Sequence, residues 1–246
     1  VIVSLVLPIF TAMSVTAGWL FEAGLTLLFA AVAWPLAMTA PTVASQAGTS
    51  AIPPMVRGAG FSLSLLGTAY FLAAIGITPH MLFLTDYLYR DLGVDAAVSS
   101  RLFSLVGIGS LIGALSSGVI ARLIGTKSSL ILNYLLGTIA VAVVLATVNV
   151  TLITISAFAM GFFLFCCVTL ASIGTGEISG LERHSRDWGI LTLGFGAGLA
   201  IGSYGLSGLL SLGASYYMLF VIAEGILAIS LLLSLWLAFR HSTPSG

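Results

Sequence analysis

An all-α, polytopic membrane bundle is the fold class this sequence predicts, and three observations predict it. Only 7% of the 246 residues are charged, the mean hydropathy is +1.17, and the apolar residues run in long continuous stretches. Ionised groups are costly in hydrocarbon, so a chain that keeps them out of long segments is built for a bilayer. With 59% hydrophobic residues, too little polar surface remains to coat a soluble globule. Helices are the expected form, because barrel strands would alternate over about ten residues rather than run apolar throughout.

Crossing about 30 Å of hydrocarbon takes roughly 20 residues at about 1.5 Å rise each, and eight segments reach or approach that length. The first, Val1 to Ala17, is apolar from its first residue and has neither a starting Met, a basic leader nor a small-residue cleavage site. It is not a signal peptide in form, and the chain is expected to have lost its beginning. A turn at Ala17-Gly18-Trp19 leads to the second segment, Leu20 to Met38. Residues 39–60 then hold Pro41, Pro53, Pro54, Gly48, Gly58 and Gly60 among Ser, Thr and Ala, a helix-breaking composition read as a linker. It divides the chain into a helix pair (1–38) and a six-helix bundle (61–246).

Within that bundle the third segment, Phe61 to Tyr89, is interrupted by Thr78-Pro79-His80; proline removes a backbone donor and bends the helix. Asp95 is placed to N-cap the fourth, Ala96 to Ile124. In it Gly109, Gly113 and Ser117 recur every four residues, as Gly194, Gly198 and Gly202 do later, making small-residue stripes where backbones approach closely. Tight turns at Gly125-Thr126-Lys127, Asn149-Val150-Thr151 and Leu212-Gly213-Ala214 join the fifth (Ser128 to Val148), sixth (Leu152 to Gly174), seventh (Trp188 to Leu212) and eighth (Ala214 to Phe239) segments. Cys166 and Cys167 are adjacent on a helix, so their side chains diverge and are read as packing groups. Glu177, Glu182, Arg183, His184, Arg186 and Asp187 read as a solvated, ion-paired loop.

Basic residues fall on alternate connections. With the linker cytoplasmic, that side collects Arg57, Arg122, Lys127, Arg183, Arg186 and Arg240, while the other has Arg90, with Arg101 just inside the next helix. The positive-inside rule then puts the linker and the C-terminus in the cytoplasm. Trp19, Trp34, Trp188 and Trp236 lie near segment ends, as interfacial anchors would.

Two stretches carry a family resemblance. Residues 118–127, reading GVIARLIGTK, resemble the loop signature of the major facilitator superfamily: Gly118, Gly125 and Lys127 fit, while Arg122 stands where the family has an acid and Leu123 where it has a base. Residues 70–93, YFLAAIGITPHMLFLTDYLYRDLG, resemble the seventh helix of the YbfB-like branch, and the region from Pro8 through Gly18-Trp19 to Met38 resembles its fifth and sixth helices. The resemblance implies a twelve-helix fold of which this chain supplies helices five to twelve. It also implies a secondary transporter working by alternating access, monomeric when complete, in a bacterial inner membrane.

Individual residues sharpen that expectation. Glu224 lies about ten residues into the last segment, near the bilayer midplane, where a carboxyl costs about 2.5 to 3.5 kcal/mol. It is either a proton-coupling or substrate-contacting acid, or a neutral acid bonded to a neighbouring helix. Asp86 and Arg90, spaced i, i+4, share a helix face and can pair; alternatively Asp86 meets Arg101 across the hairpin as a gate. Pro79 is a candidate hinge, and His80 a group that could titrate and join proton coupling. Tyr70 and Asn133 are polar groups in apolar runs and further cavity candidates.

Zero net charge without a basic block argues against nucleic acid as a partner. No zinc motif, nucleophile elbow, phosphate loop or strand-borne dinucleotide motif is present, so neither an enzyme, a metal site nor a cofactor is expected. The expected partners are a small-molecule solute, protons and the lipid bilayer, with proton-coupled transport as the function. A non-transporting membrane scaffold or assembly subunit is the alternative.

Overall fold

In the computed structural model, residues 14–39 and 58–240 are described, apart from the side chains at positions 15, 36–39, 97, 100, 101 and 240. Two compact units divide at Ile52 and Pro53. In the first, α1 (Val15–Thr39) carries Pro35 inside it and starts at Ser14, whose hydroxyl accepts from the Ala17 amide at 3.0 Å. The expected turn at Ala17-Gly18-Trp19 is therefore wrong, because Gly18 and Trp19 lie in the first turns of this helix. A serine that satisfies an orphan N-terminal donor outweighs the helix-breaking tendency of one glycine. The predicted segment from Val1 falls mostly outside the described residues, as does the linker at 40–57.

The second unit begins with α2 (Ala59–Gly76), a π-helical stretch at Pro79–Phe83 and α3 (Leu84–Arg90), which together make one apolar span of 32 residues. Five long helices follow: α4 (Ala96–Ile124), α5 (Thr126–Ala146), α6 (Val150–Ser179), α7 (Leu181–Ser211) and α8 (Tyr216–Arg240). Seven spans among the described residues are long and apolar enough to cross a membrane, so the chain is a multi-pass membrane protein.

The helices alternate in direction. The starts of α2, α5 and α7 share one end of the bundle, here the Gly180 end, with the finishes of α4, α6 and α8; the other is the Asp86 end. At the Gly180 end two connections shrink to one residue each: Gly125 at φ 82° and Gly180 at φ 76°. Only glycine takes that left-handed backbone without strain. The stretch expected as a charged loop thus corrects to the close of α6, one glycine and the first two turns of α7. Ion pairs at i, i+4 are compatible with a helix, and Gly180 supplies the reversal. At the Asp86 end Asn149 caps α6, its side chain accepting from the Thr151 and Leu152 amides, and Asp95 accepts from Val98 N at 3.3 Å at the start of α4.

Large apolar side chains such as Leu115 (74% exposed) and Leu123 (77%) line the outside, as a lipid-facing surface requires. Lipid is as apolar as leucine, so helix association rests on close packing and small residues rather than on the hydrophobic effect. α4 packs most extensively on α6, and α2 lies against α7, α8 and α6. Two glycine seams carry this. Gly109 and Gly113 of α4 face the Phe158 and Phe162 backbone, and Gly161 of α6 faces the Val106 carbonyl, with no room for a Cβ at any of them. Gly198 and Gly202 of α7 meet Phe71 and the Ile75–Thr78 turn of α2 in the same way, while a Cβ at Gly194 would meet nothing. Ser117 is buried and bonds its own helix at Ala114 O.

Candidate functional site

Pro79 has no N–H to return to the preceding turn, and the backbone widens there into π-helix. Thr78, just before the break, donates its hydroxyl to Ala74 O at 3.1 Å. On that widened turn His80 is fully buried. Its Nε2 lies 3.0 Å from Ser156 Oγ, and Ser156 donates to Ala140 O at 2.6 Å. The single hydroxyl hydrogen of Ser156 is committed to Ala140, so His80 Nε2 must be the donor. Nδ1 is then an acceptor, buried without a partner. Three helices, the α2–α3 span, α5 and α6, are tied at this point, and the His80 ring stands edge-on to Phe220 of α8 at 5.3 Å.

Toward the Gly180 end lies a second polar layer. Tyr134 of α5 accepts from the Cys167 thiol at 3.6 Å, and Asn133 donates from Nδ2 to Phe163 O at 3.1 Å while its Oδ1 stays unpartnered. Cys166 and Cys167 are free and buried. Tyr70, 1% exposed, is stacked between Phe195 at 4.3 Å and Trp188 at 5.8 Å. Trp188 is thus half-buried in the α2–α7 contact, not a simple interfacial anchor, whereas Trp19, Trp34 and Trp236 are exposed.

Glu224 sits half-buried on α8, beside the Ala223–Leu227 face that packs on Gly76 of α2, and its Oε2 is buried without a hydrogen bond. At the Asp86 end, Tyr216 of α8 donates to Asp86 Oδ2 at 3.1 Å, and Arg90 Nε lies 3.5 Å from the same oxygen. Asp86 therefore bonds α8 as well as its own helix; the Arg101 side chain lies outside the described residues. At the Gly180 end Thr126 donates to Glu177 Oε1 at 2.6 Å, joining α5 to α6. Arg122 and Lys127 are exposed, with no ion pair among the described residues, and a Cβ at Gly118 would face open space.

Among the described residues no hydrogen bond, ion pair or ring contact joins any two of Glu224, Asp86, His80, Tyr70 and Asn133. What the fold adds is their partners: Ser156, Tyr216 and the Thr126–Glu177 pair. Ser156 carries no distinguishing local signal, because Thr151 and Thr154 are hydroxyl residues in the same apolar run. Asp187 was misread as solvated: it is 2% exposed, with Arg183 Nε 3.5 Å from its Oδ2. Its place at i−4 from Leu191 and i−11 from Gly198, on the buried stripe of α7, was the available signal.

Residues 1–235 match the protein family described as "Uncharacterised MFS-type transporter YbfB". No curated protein matches the chain.

Proposed function

Because the chain belongs to the family of YbfB-like MFS-type transporters, we propose that it moves a small solute by alternating access, with protons as the coupling ion. The observation that carries this reading is the π-helical break at Pro79–Phe83, pinned by His80 to Ser156 and through it to Ala140. That polar tie holds the interrupted span against two neighbouring helices at the break. Interrupted spans are the elements that border solute sites and bend between states in transporters.

Each end of the bundle also has its own polar latch, Asp86 with Tyr216 at one and Thr126 with Glu177 at the other. Two such contacts can open in turn while the packed core keeps its seams. Glu224, with one buried and unbonded oxygen, is the carboxyl best suited to carry a proton, and Asp86 is the second. We assign the Gly180 end to the cytoplasm of a bacterial cell, since Arg122, Lys127, Arg183 and Arg186 gather there.

The test is reconstitution of the full-length protein in vesicles holding a pH-sensitive dye, challenged with a solute panel under an imposed pH gradient. Solute-dependent proton flux is expected. Glu224→Gln or Asp86→Asn should abolish uphill accumulation and leave solute exchange intact. Unchanged uphill transport in both variants removes these residues from the mechanism, and absence of flux with any solute favours a scaffold.

A further inference from the structure

Between α2 and α7 lies a groove of about 370 Å³, walled on one side by Ser64, Gly67, Thr68 and Phe71 and on the other by Leu191 and Gly194 among others. It exists because two of these positions lack side chains: a Cβ at Gly194 would meet nothing, and one at Gly67 would touch only Leu191. Its size falls at the low end of small-molecule pockets. No charged residue lines it.

Four residues toward the Gly180 end, about 6 Å along the axis from Leu191, the same face of α7 carries Asp187. This carboxylate is 2% exposed and its Oδ2 accepts no hydrogen bond. Arg183 Nε stands 3.5 Å away, well beyond the 2.7 to 2.9 Å or so of a charge-assisted bond. A buried carboxylate is strongly disfavoured unless cations and donors complete its shell, and here one oxygen remains open to a further donor.

We propose that this groove, together with Asp187 one turn beyond its lining, binds a small amphipathic organic cation: an amine whose aromatic or aliphatic body fills the groove and whose ammonium reaches past Leu191 to donate to Asp187 Oδ2. The chemistry is complementary in both parts. The walls offer apolar surface and the Ser64 and Thr68 oxygens, and Asp187, one turn beyond, offers negative charge. An anionic lipid would bring its phosphate toward a carboxylate, so charge favours the free amine over lipid. Arg183 is the resident counter-ion, drawn aside when the ligand's ammonium arrives. The inference rests on the transporter reading only in naming the amine as cargo; binding itself stands apart from transport.

Calorimetry on the full-length protein with 2-phenylethylamine, 2-phenylethanol and 3-phenylpropionate compares one body with three head groups. The amine should bind about tenfold or more tighter than the alcohol, and the acid should not bind detectably. Asp187→Asn should bring the amine down to the level of the alcohol, Gly194→Leu should remove both, and Arg183→Gln should tighten the amine several-fold. Equal binding of amine and alcohol by the unaltered protein overturns the proposal whether or not Asp187→Asn folds. So does absence of amine binding, or an amine preference that survives Asp187→Asn, or amine binding that survives Gly194→Leu because the groove holds only lipid. Solute-driven proton flux with other solutes would leave the transport reading standing in any of those cases.

Discussion

Ser156 is the residue on which most depends per atom, because it accepts from His80 and donates to Ala140 at once. Ser156→Ala leaves a buried imidazole N–H without a partner, while Ala140 O loses only the second of its bonds and keeps the one within its own helix. Unsatisfied buried groups cost about 1 to 3 kcal/mol in water-soluble proteins, but interhelical bonds in membranes average only about 0.6 kcal/mol. A loss near 1 kcal/mol is therefore expected in thermal unfolding of the detergent-solubilised protein. The double variant Ser156→Ala/His80→Leu should lose less than the sum of the two singles; additive losses would mean the pair does not interact. The sequence singles out His80, because a histidine beside a proline in an apolar run is visible in one dimension. Its partner lies 76 positions away and has the same local appearance as any helix serine.

Among the elements, two kinds of glycine separate. Gly161 of α6 faces the Val106 carbonyl, and Gly118 of α4 faces open space. Backbone cannot move aside as a side chain can, so Gly161→Val should destabilise by about 1 to 3 kcal/mol, whereas Gly118→Val should stay within about 0.5 kcal/mol. Equal melting temperatures for the two would mean that α4 and α6 do not meet as described. The every-fourth spacing announces a seam at Gly109 and Gly113, but the same spacing also includes Gly194, which opens a groove instead. Spacing specifies a face, and only the crossing of two helices specifies how closely that face is met. The π-helical stretch has a prediction of its own. Pro79→Ala restores a backbone donor and allows ordinary α-helix, so turnover should change more than abundance; normal kinetics would remove the break from the transport cycle.

For the molecule as a whole, orientation is open to a direct measurement, since both native cysteines are buried and leave a quiet background for thiol labelling. Asp91 and Lys127 are exposed at opposite ends. A membrane-impermeant maleimide should label Asp91→Cys in intact cells and Lys127→Cys only after permeabilisation, and the reverse pattern would invert the bundle. The class of the protein follows from the sequence by itself, because excluding charge from long segments is a property of each segment alone and the bilayer reads it without reference to the others. The family likewise follows from the order of residues along the chain. Tertiary structure alone decided that Gly180 is the whole connection before residue 181, that Asp187 lies one turn from a groove, and that Asp86 bonds α8. Burial and partnership are relations between segments distant in sequence, set by which helices cross and at what height, and no local pattern encodes both partners.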